Sequence, residues 1–167
     1  MSIKKKILIS VILAITSALV AGLVGFFLNN NSEDLPKMEN PYTITYYANE
    51  EKTEGFSLQL SEIFSTKIMV SIDETIDGLT AYRFKHTDSD EVLFIIYISD
   101  GETYKQLSGK YEVIDKSDKY AYVWTQSVDD NTHILDEVKR ADFNNIAKYY
   151  ATIKSTVKIV SSTENVN

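Results

Sequence analysis

Val92-Leu93-Phe94-Ile95-Ile96-Tyr97-Ile98 is an uninterrupted apolar run, and its β-branched and aromatic residues predict a β-strand. A strand with one face in water would alternate between apolar and polar side chains, whereas this run is apolar at every position. A strand of this kind is covered on both faces, so the run predicts the central strand of a sheet.

Segments on both sides of this central strand predict further strands. Gly55 precedes Phe56–Leu60, where strict alternation of apolar and polar residues predicts a strand with one buried face. Turn composition at Asp77-Gly78, at Thr87–Glu91 and at Asp115–Asp118 predicts antiparallel hairpins. The other predicted strands are Tyr42–Ala48, Ile68–Ile72, Leu79–His86, Lys110–Ile114 and Lys119–Gln126.

Helices are predicted in three places. Ser61–Lys67 predicts a helical turn capped by Ser61, and Gly101–Ser108 predicts a short inserted helix capped by Ser99 or Asp100. A long C-terminal helix, capped by Asp142, is predicted from an apolar stripe with 4-3-4-3 spacing. The members of this stripe are Ile146, Tyr150, Ile153, Val157 and Val160.

The predicted fold class is α+β. It combines an N-terminal transmembrane helix with one domain, in which an antiparallel β-sheet is packed by the long C-terminal helix and the short inserted helix. The domain is predicted at residues 41–161, preceded by a polar linker at 29–40 and followed by a polar tail at 162–167.

The transmembrane prediction comes from Ile7–Leu28, a run of 22 residues without charge that follows Lys4, Lys5 and Lys6. As a helix it would be about 33 Å long, enough to cross the hydrocarbon core of a bilayer. The lysines favour a cytoplasmic segment at residues 1–6 and an extracytoplasmic domain. An uncleaved signal anchor is preferred because the apolar run continues beyond the weak cleavage site Val20-Ala21-Gly22; a cleaved, secreted form is the alternative.

The amino-acid composition limits the possible cellular compartments and binding partners of the protein. The chain has no cysteine, which excludes disulfides, thiol catalysis and a lipid-modified cysteine. Together with frequent Lys, Ile, Asn and Asp, this favours the cell membrane of a Gram-positive bacterium. Without the three amino-terminal lysines, 14 basic residues face 24 acidic ones, a net charge near −10. Such a domain has no electrostatic basis for binding nucleic acid.

The layout resembles PsbP-like domains. The resemblance rests on Gly55–Leu60, the aromatic Phe64 after a short turn, the apolar strand Val92–Ile98, the strand Tyr120–Trp124 and a terminal helix. Ser61 and Phe64 stand near places where members of that family often have proline and tryptophan. The resemblance implies an α/β/α sandwich around an antiparallel sheet, as in uncharacterised membrane-anchored extracellular proteins of Firmicutes. It also implies a binding or assembly role without catalysis.

No motif predicts catalysis, a cofactor or a metal site. The densest set of oxygen and nitrogen ligands is His86 with the acidic turn Asp88–Glu91, which lacks the glycine and terminal glutamate of a calcium loop. We therefore expect this turn to be solvated and dispensable. Serine, histidine and aspartate triads are defined by geometry, so the two histidines leave that possibility open.

Eleven tyrosines recur along the predicted strands and helix, where most are expected to pack the sheet. The candidate binding face is Tyr120, Tyr122 and Trp124, which lie on one side of a strand, opposite Ala121 and Val123. The predicted function is a non-enzymatic binding or assembly module, with an envelope protein or a cell-wall polymer as its partner. The alternatives are a cell-envelope hydrolase or its regulator, and an accessory subunit of a membrane complex.

Our first prediction concerns topology. A reporter enzyme that is active only outside the cytoplasm, fused after Asn167, should be active, because Ile7–Leu28 is the one predicted span. Moving Lys4–Lys6 to the other side of the span should reduce that activity. Activity of a cytoplasm-only reporter at the same site would contradict the prediction, and release of a protein that starts near Leu23 would establish cleavage.

Overall fold

The computed structural model describes residues 35–127 and 131–161, without the side chain of Thr75. The chain divides into two units, Met1–Leu35 and Pro36–Asn167. The predicted span Ile7–Leu28 lies outside the described residues, and within them no helix is long and apolar enough to cross a membrane. The fold below is that of the second unit, which begins within the predicted linker.

Eight strands and two α-helices form the described part of this unit, which confirms the α+β class. The strands are β1 (Pro41–Tyr47), β2 (Glu54–Ser61), β3 (Ile68–Ile76), β4 (Leu79–His86), β5 (Val92–Asp100), β6 (Glu112–Lys116), β7 (Tyr120–Gln126) and β8 (Lys158–Ser161). The α-helices are α1 (Glu137–Ala147) and α2 (Tyr150–Ser155). Two short 3₁₀ helices lie at Glu62–Phe64 and Thr103–Gln106.

The strands form two antiparallel sheets instead of the single predicted sheet. The larger sheet has the order β3-β4-β5-β7-β6, and the smaller has the order β1-β2-β8. Strand β5 is central in the larger sheet, as its composition predicts, and pairs with β4 and β7. The prediction of one sheet was wrong because local patterns identify strands but do not assign them to a sheet.

Both faces of β5 are covered, by two separate hydrophobic clusters. The larger cluster joins Phe56, Leu58 and Leu60 of β2 to β5, β7 and the helices, so the predicted alternation in β2 is confirmed. The smaller cluster lies on the other face of the larger sheet, where Tyr104 of the second 3₁₀ helix packs beside Tyr97 of β5. The larger sheet therefore has a thick cover on one face and a thin one on the other.

The predicted hairpins are confirmed. Asp77-Gly78 joins β3 to β4, with Gly78 at a positive φ of 74° that glycine adopts without strain. Residues 87–91 join β4 to β5, with Asp90 at a φ of 59°. Strands β6 and β7 also pair antiparallel. Each connection is short enough to fix the register of the strands that it joins.

The C-terminal segment is helical, but the long helix does not extend to Val160. It consists of α1 and α2, and Val160 lies in β8, which pairs with the first residues of β2. The predicted cap was also wrong, because Asp136 accepts hydrogen bonds from the backbone N–H groups of Val138 and Lys139. Asp142 lies within α1, where its side chain is available for other contacts.

The short helices are present, and of their predicted caps Ser99, but not Ser61, accepts a hydrogen bond from a backbone N–H of its helix. The hydroxyl of Ser61 donates to the carbonyl of Glu39 and does not cap the first 3₁₀ helix. The inserted helix is a 3₁₀ helix of four residues, where the Ser99 hydroxyl accepts from the backbone N–H of Tyr104 at 2.8 Å. This bond holds the helix against the end of β5.

Our second prediction concerns the packing of α2 on the larger cluster. Ile153 is fully buried there, so Ile153→Ala should lower the free energy of unfolding by about 2–5 kcal/mol, measured by urea denaturation. Val138, which is 79% exposed, provides the matched control, and Val138→Ala should change stability by less than about 0.5 kcal/mol. Equal effects of the two substitutions would show that α2 does not contribute to the core.

Candidate functional site

The predicted binding face is part of the core. Tyr120, Tyr122 and Trp124 do share one side of β7, but that side points into the larger cluster, and they are 7%, 0% and 2% exposed. The smaller sheet and the helices cover them, so they form no exposed docking face. Alternation along β7 correctly separated them from Ala121 and Val123, which belong to the smaller cluster.

Two of the three reach a surface recess: Tyr120 lines one beside Gly78, and Trp124 lines another at the opposite end of β7. The recess at Trp124 has a volume of about 250 Å³ and is also lined by Tyr111, Gln126 and Lys154. A second recess at this end, of about 350 Å³, is lined by Val92, Ile95, His133 and other residues. Thr125 and Gln126 line both recesses, so we treat the two as one site and name it the Gln126 groove.

The groove lies at the end of β7, beside the start of β5, and its lining includes both faces of the larger sheet. Ile95 and Thr125 line it on the face where the thin cover ends, and Trp124 and Gln126 line it on the other face. The second 3₁₀ helix packs over the part of the sheet around Tyr97 and Val123. Ile95 and Thr125 lie opposite each other in the next part of the same strands and are only half-buried. The groove therefore occupies a part of the sheet that no element of the described chain covers completely.

Four of the charged groups that line the groove form two ion pairs, and Lys110 lines it as well. The ammonium of Lys154 contacts the carboxylate of Glu112 at 2.6 Å, and His133 Nε2 is 3.2 Å from a carboxylate oxygen of Glu91. The Trp124 indole N–H donates to the amide oxygen of Gln126 at 2.9 Å, which leaves the amide N–H₂ of Gln126 available to a ligand. Because Lys154 and His133 are each paired with a glutamate, we expect a ligand to bind mainly through hydrogen bonds and ring contacts.

Residues in the acidic turn between β4 and β5, and next to it, lie in three different environments. Asp90 pairs with Lys85 at 3.1 Å, and Glu91 pairs with His133. His86, which precedes the turn, is completely buried. The turn is thus not a uniformly solvated loop, because the buried His86 anchors one end of it.

His86 joins three elements of the fold. Its Nδ1 is 2.8 Å from the hydroxyl oxygen of Ser89 in the turn, and its Nε2 is 3.2 Å from a carboxylate oxygen of Asp142 in α1. The other oxygen of Asp142 accepts from the ammonium of Lys67, just before β3. Burial alone would raise the pKa of Asp142, but the hydrogen bonds from Lys67 and His86, and the charges of these groups, hold that pKa below its usual range.

Ser89, His86 and Asp142 form a hydrogen-bonded chain of the residue types found in hydrolase triads. A nucleophilic serine needs a base that can exchange a proton with a bound substrate. Here the imidazole has no exposed surface, and Asp142 is shared with Lys67. The arrangement therefore fits a structural link between the turn and α1 better than a nucleophilic centre.

Two features of this site were not found from the sequence. Gln126 and Tyr111 had no distinguishing pattern, although a polar residue at the end of an apolar strand marks a place where the cover ends. Asp142 was assigned to helix capping, because a carboxylate near a predicted helix start favours that role. Asp136 is also a typical capping residue, and assigning the cap to it would have left Asp142 open to another role.

Comparisons with protein-family models, with curated proteins and with solved structures give no match. The resemblance to PsbP-like domains thus stays a prediction. We therefore infer the function from the geometry of the Gln126 groove and of the His86 contacts.

Our third prediction concerns the pH dependence caused by Asp142. A carboxyl whose pKa is lower in the folded state stabilises the fold above its unfolded pKa, about 3.9. That contribution is lost as the pH falls through the folded value. Asp142→Asn should therefore lower the free energy of unfolding by about 1–3 kcal/mol at pH 7, measured by urea denaturation. The variant and the parent protein should converge once the pH has fallen below the folded pKa of Asp142.

Asp90→Asn is the matched control, because Asp90 forms an ion pair with a lysine but is 73% exposed. Its effect at pH 7 should be less than about 1 kcal/mol. A difference between parent and Asp142→Asn that is constant from pH 7 to pH 2 would contradict the assignment to the ionised carboxylate.

Proposed function

We propose that this protein is a membrane-anchored, extracytoplasmic binding or assembly module without enzymatic activity. Ile7–Leu28 would hold it at the bilayer, and the α+β domain would present the Gln126 groove to a component of the cell envelope. The observation that carries the proposal is the pair of adjoining recesses around Thr125 and Gln126, at the uncovered end of the larger sheet.

The lining of the groove supports recognition of a chain molecule. Tyr111 is 36% exposed and offers a ring, while Gln126 offers an amide, and both line the same recess. Aromatic rings with nearby hydrogen-bonding groups suit sugar rings and polypeptide segments. Val92 and Ile95 add an apolar surface in the second recess. Two recesses in series suit consecutive units of a polymer better than a single small molecule.

Electrostatics favour a partner that is not strongly anionic. Residues 29–167, which follow the predicted span, carry a net charge near −10, so a polyanion would be repelled at long range. Three groups could attract an anion within the groove, and two of them, Lys154 and His133, are each paired with a glutamate; Lys110 is the third. We therefore infer that the ligand is the glycan or peptide part of the cell wall, with an envelope protein as the alternative partner.

The non-enzymatic part of the proposal is supported by the environments of the titratable groups. The carboxylates of Glu91 and Glu112 in the groove both form ion pairs. A general acid or base needs a group that can exchange a proton with the substrate. The buried chain through His86 is tied to the fold on both sides of the ring. These contacts support binding over hydrolysis.

Our fourth prediction tests this groove. The purified protein should sediment with insoluble Gram-positive cell wall from which the anionic polymers have been removed. Tyr111→Ala and Gln126→Ala should each weaken that binding about fivefold or more, as loss of a central contact does. Tyr47→Ala is the matched control, because Tyr47 is 37% exposed but lies in β1 of the smaller sheet.

Equal binding by the parent protein, Tyr111→Ala and Gln126→Ala would overturn the assignment of the groove. An absence of sedimentation would overturn the wall polymer as the ligand. In that case, crosslinking from a photoreactive residue at position 111, but not at position 47, would identify an envelope protein as the partner.

A further inference from the structure

His86, Asp88 and Asp142 bring one imidazole nitrogen and two carboxylate oxygens within 4.8 Å of one another. They come from three elements, namely the end of β4, the turn after it and helix α1. Three ligand atoms of these two types, close to one another, suit a divalent transition-metal ion. This cluster lies apart from the Gln126 groove and shares none of its lining residues.

The orientation of His86 is the first observation that favours a metal ion. Histidines that bind metals almost always use their second ring nitrogen in a hydrogen bond, which fixes the tautomer and the ring. His86 Nε2–H donates to Asp142, and a metal ion would displace this proton. Nδ1–H can then donate to the Ser89 hydroxyl oxygen, 2.8 Å away, which leaves the lone pair of Nε2 for the ion. An ion near this lone pair would be held by a ring that cannot rotate away.

The state of the Asp88 carboxylate is the second observation. Within residues 35–127 and 131–161 the Asp88 side chain has no hydrogen bond or ion pair, whereas Asp90 and Glu91 in the same turn are paired. Its carboxylate nevertheless lies close to that of Asp142. Two like charges at this separation repel each other, and a bound cation would turn that repulsion into attraction.

Two lysines limit the strength of the site. Lys67 binds one oxygen of Asp142 and leaves the other facing His86, while Lys139 donates to the backbone carbonyl of Asp88 at 2.9 Å. Their charges oppose a cation, so only an ion that also bonds well to imidazole would be retained. Asp88, Asp142 and both lysines line an open recess of about 650 Å³, which has room for water molecules in the remaining coordination positions.

We propose that this cluster binds a first-row divalent transition-metal ion, with Zn²⁺ as the best match. His86 Nε2, one oxygen of Asp88 and one oxygen of Asp142 would be its protein ligands, and Ser89 would position the imidazole. Ca²⁺ does not fit, because it takes six to eight oxygen ligands and this cluster offers an imidazole and two carboxylates. Binding would fasten the turn between β4 and β5 to helix α1, and it goes beyond the function proposed for the groove.

The test uses the full-length protein without a polyhistidine tag, in detergent. Zn²⁺ should raise the midpoint of thermal unfolding and a chelator should reverse the shift, whereas Ca²⁺ at the same concentration should have no effect. Co²⁺ should give visible absorption bands on binding. Asp88→Asn should weaken Zn²⁺ binding about tenfold or more, and Ser89→Ala should do so through the orientation of His86. Lys67→Gln should strengthen binding, because it removes an opposing charge.

Two controls separate this cluster from other ligands. Asp90→Asn changes a carboxylate of the same turn that pairs with Lys85, and should leave Zn²⁺ affinity unchanged. His133→Asn removes the other histidine of the chain, which pairs with Glu91, and should also have no effect. No shift with Zn²⁺, equal affinity in Asp88→Asn, or loss of binding in His133→Asn would each overturn the proposal.

Discussion

The central strand β5 has large apolar side chains on both faces, and other elements of the domain pack against both. On one face Phe94 stacks between Phe84 and Trp124, with ring centroids 4.4 Å and 4.5 Å away. The smaller sheet and the helices complete that side. On the other face a four-residue 3₁₀ helix provides the cover through Tyr104. The thin layer ends before the sheet does, so Ile95 and Thr125, which line one recess of the Gln126 groove, are only half-buried.

Much of the fold could be predicted from local patterns. The uninterrupted run in β5 and the alternation in β2 gave their burial correctly, since period-two patterns report directly which side of a strand is apolar. The stripe Ile146, Tyr150 and Ile153 was also right, and all three side chains are buried. Val160 fits both a helical stripe and a strand, and its pairing with Gly55 lies far away in the sequence. Local spacing contains no information about that partner.

The functional sites were less accessible to sequence reasoning, for a related reason. Alternation along β7 separates two sets of side chains, but it does not say which set faces a second layer. Tyr120, Tyr122 and Trp124 were assigned to the surface, whereas the smaller sheet covers them. Likewise, His86 and Asp142 are 56 residues apart, and their contact depends on how α1 crosses the end of β4. The turn Asp88–Glu91 was recognised as rich in potential metal ligands. Asp142, which completes the cluster with His86 and Asp88, was assigned to a helix cap.

The pairing of β2 with β8 joins a strand near the start of the domain to its last described strand. Phe56 and Ile159 are direct partners in this ladder, so the smaller sheet cannot close before β8 has been synthesised. Until then β2 has one neighbour, β1, and presents an open edge. Contacts between distant parts of a sequence form slowly, because a long loop must be closed first. Because β8 is synthesised after β1 and β2, it completes the smaller sheet. A nascent chain stalled before Lys158 would have an incomplete sheet that chaperones or proteases can recognise.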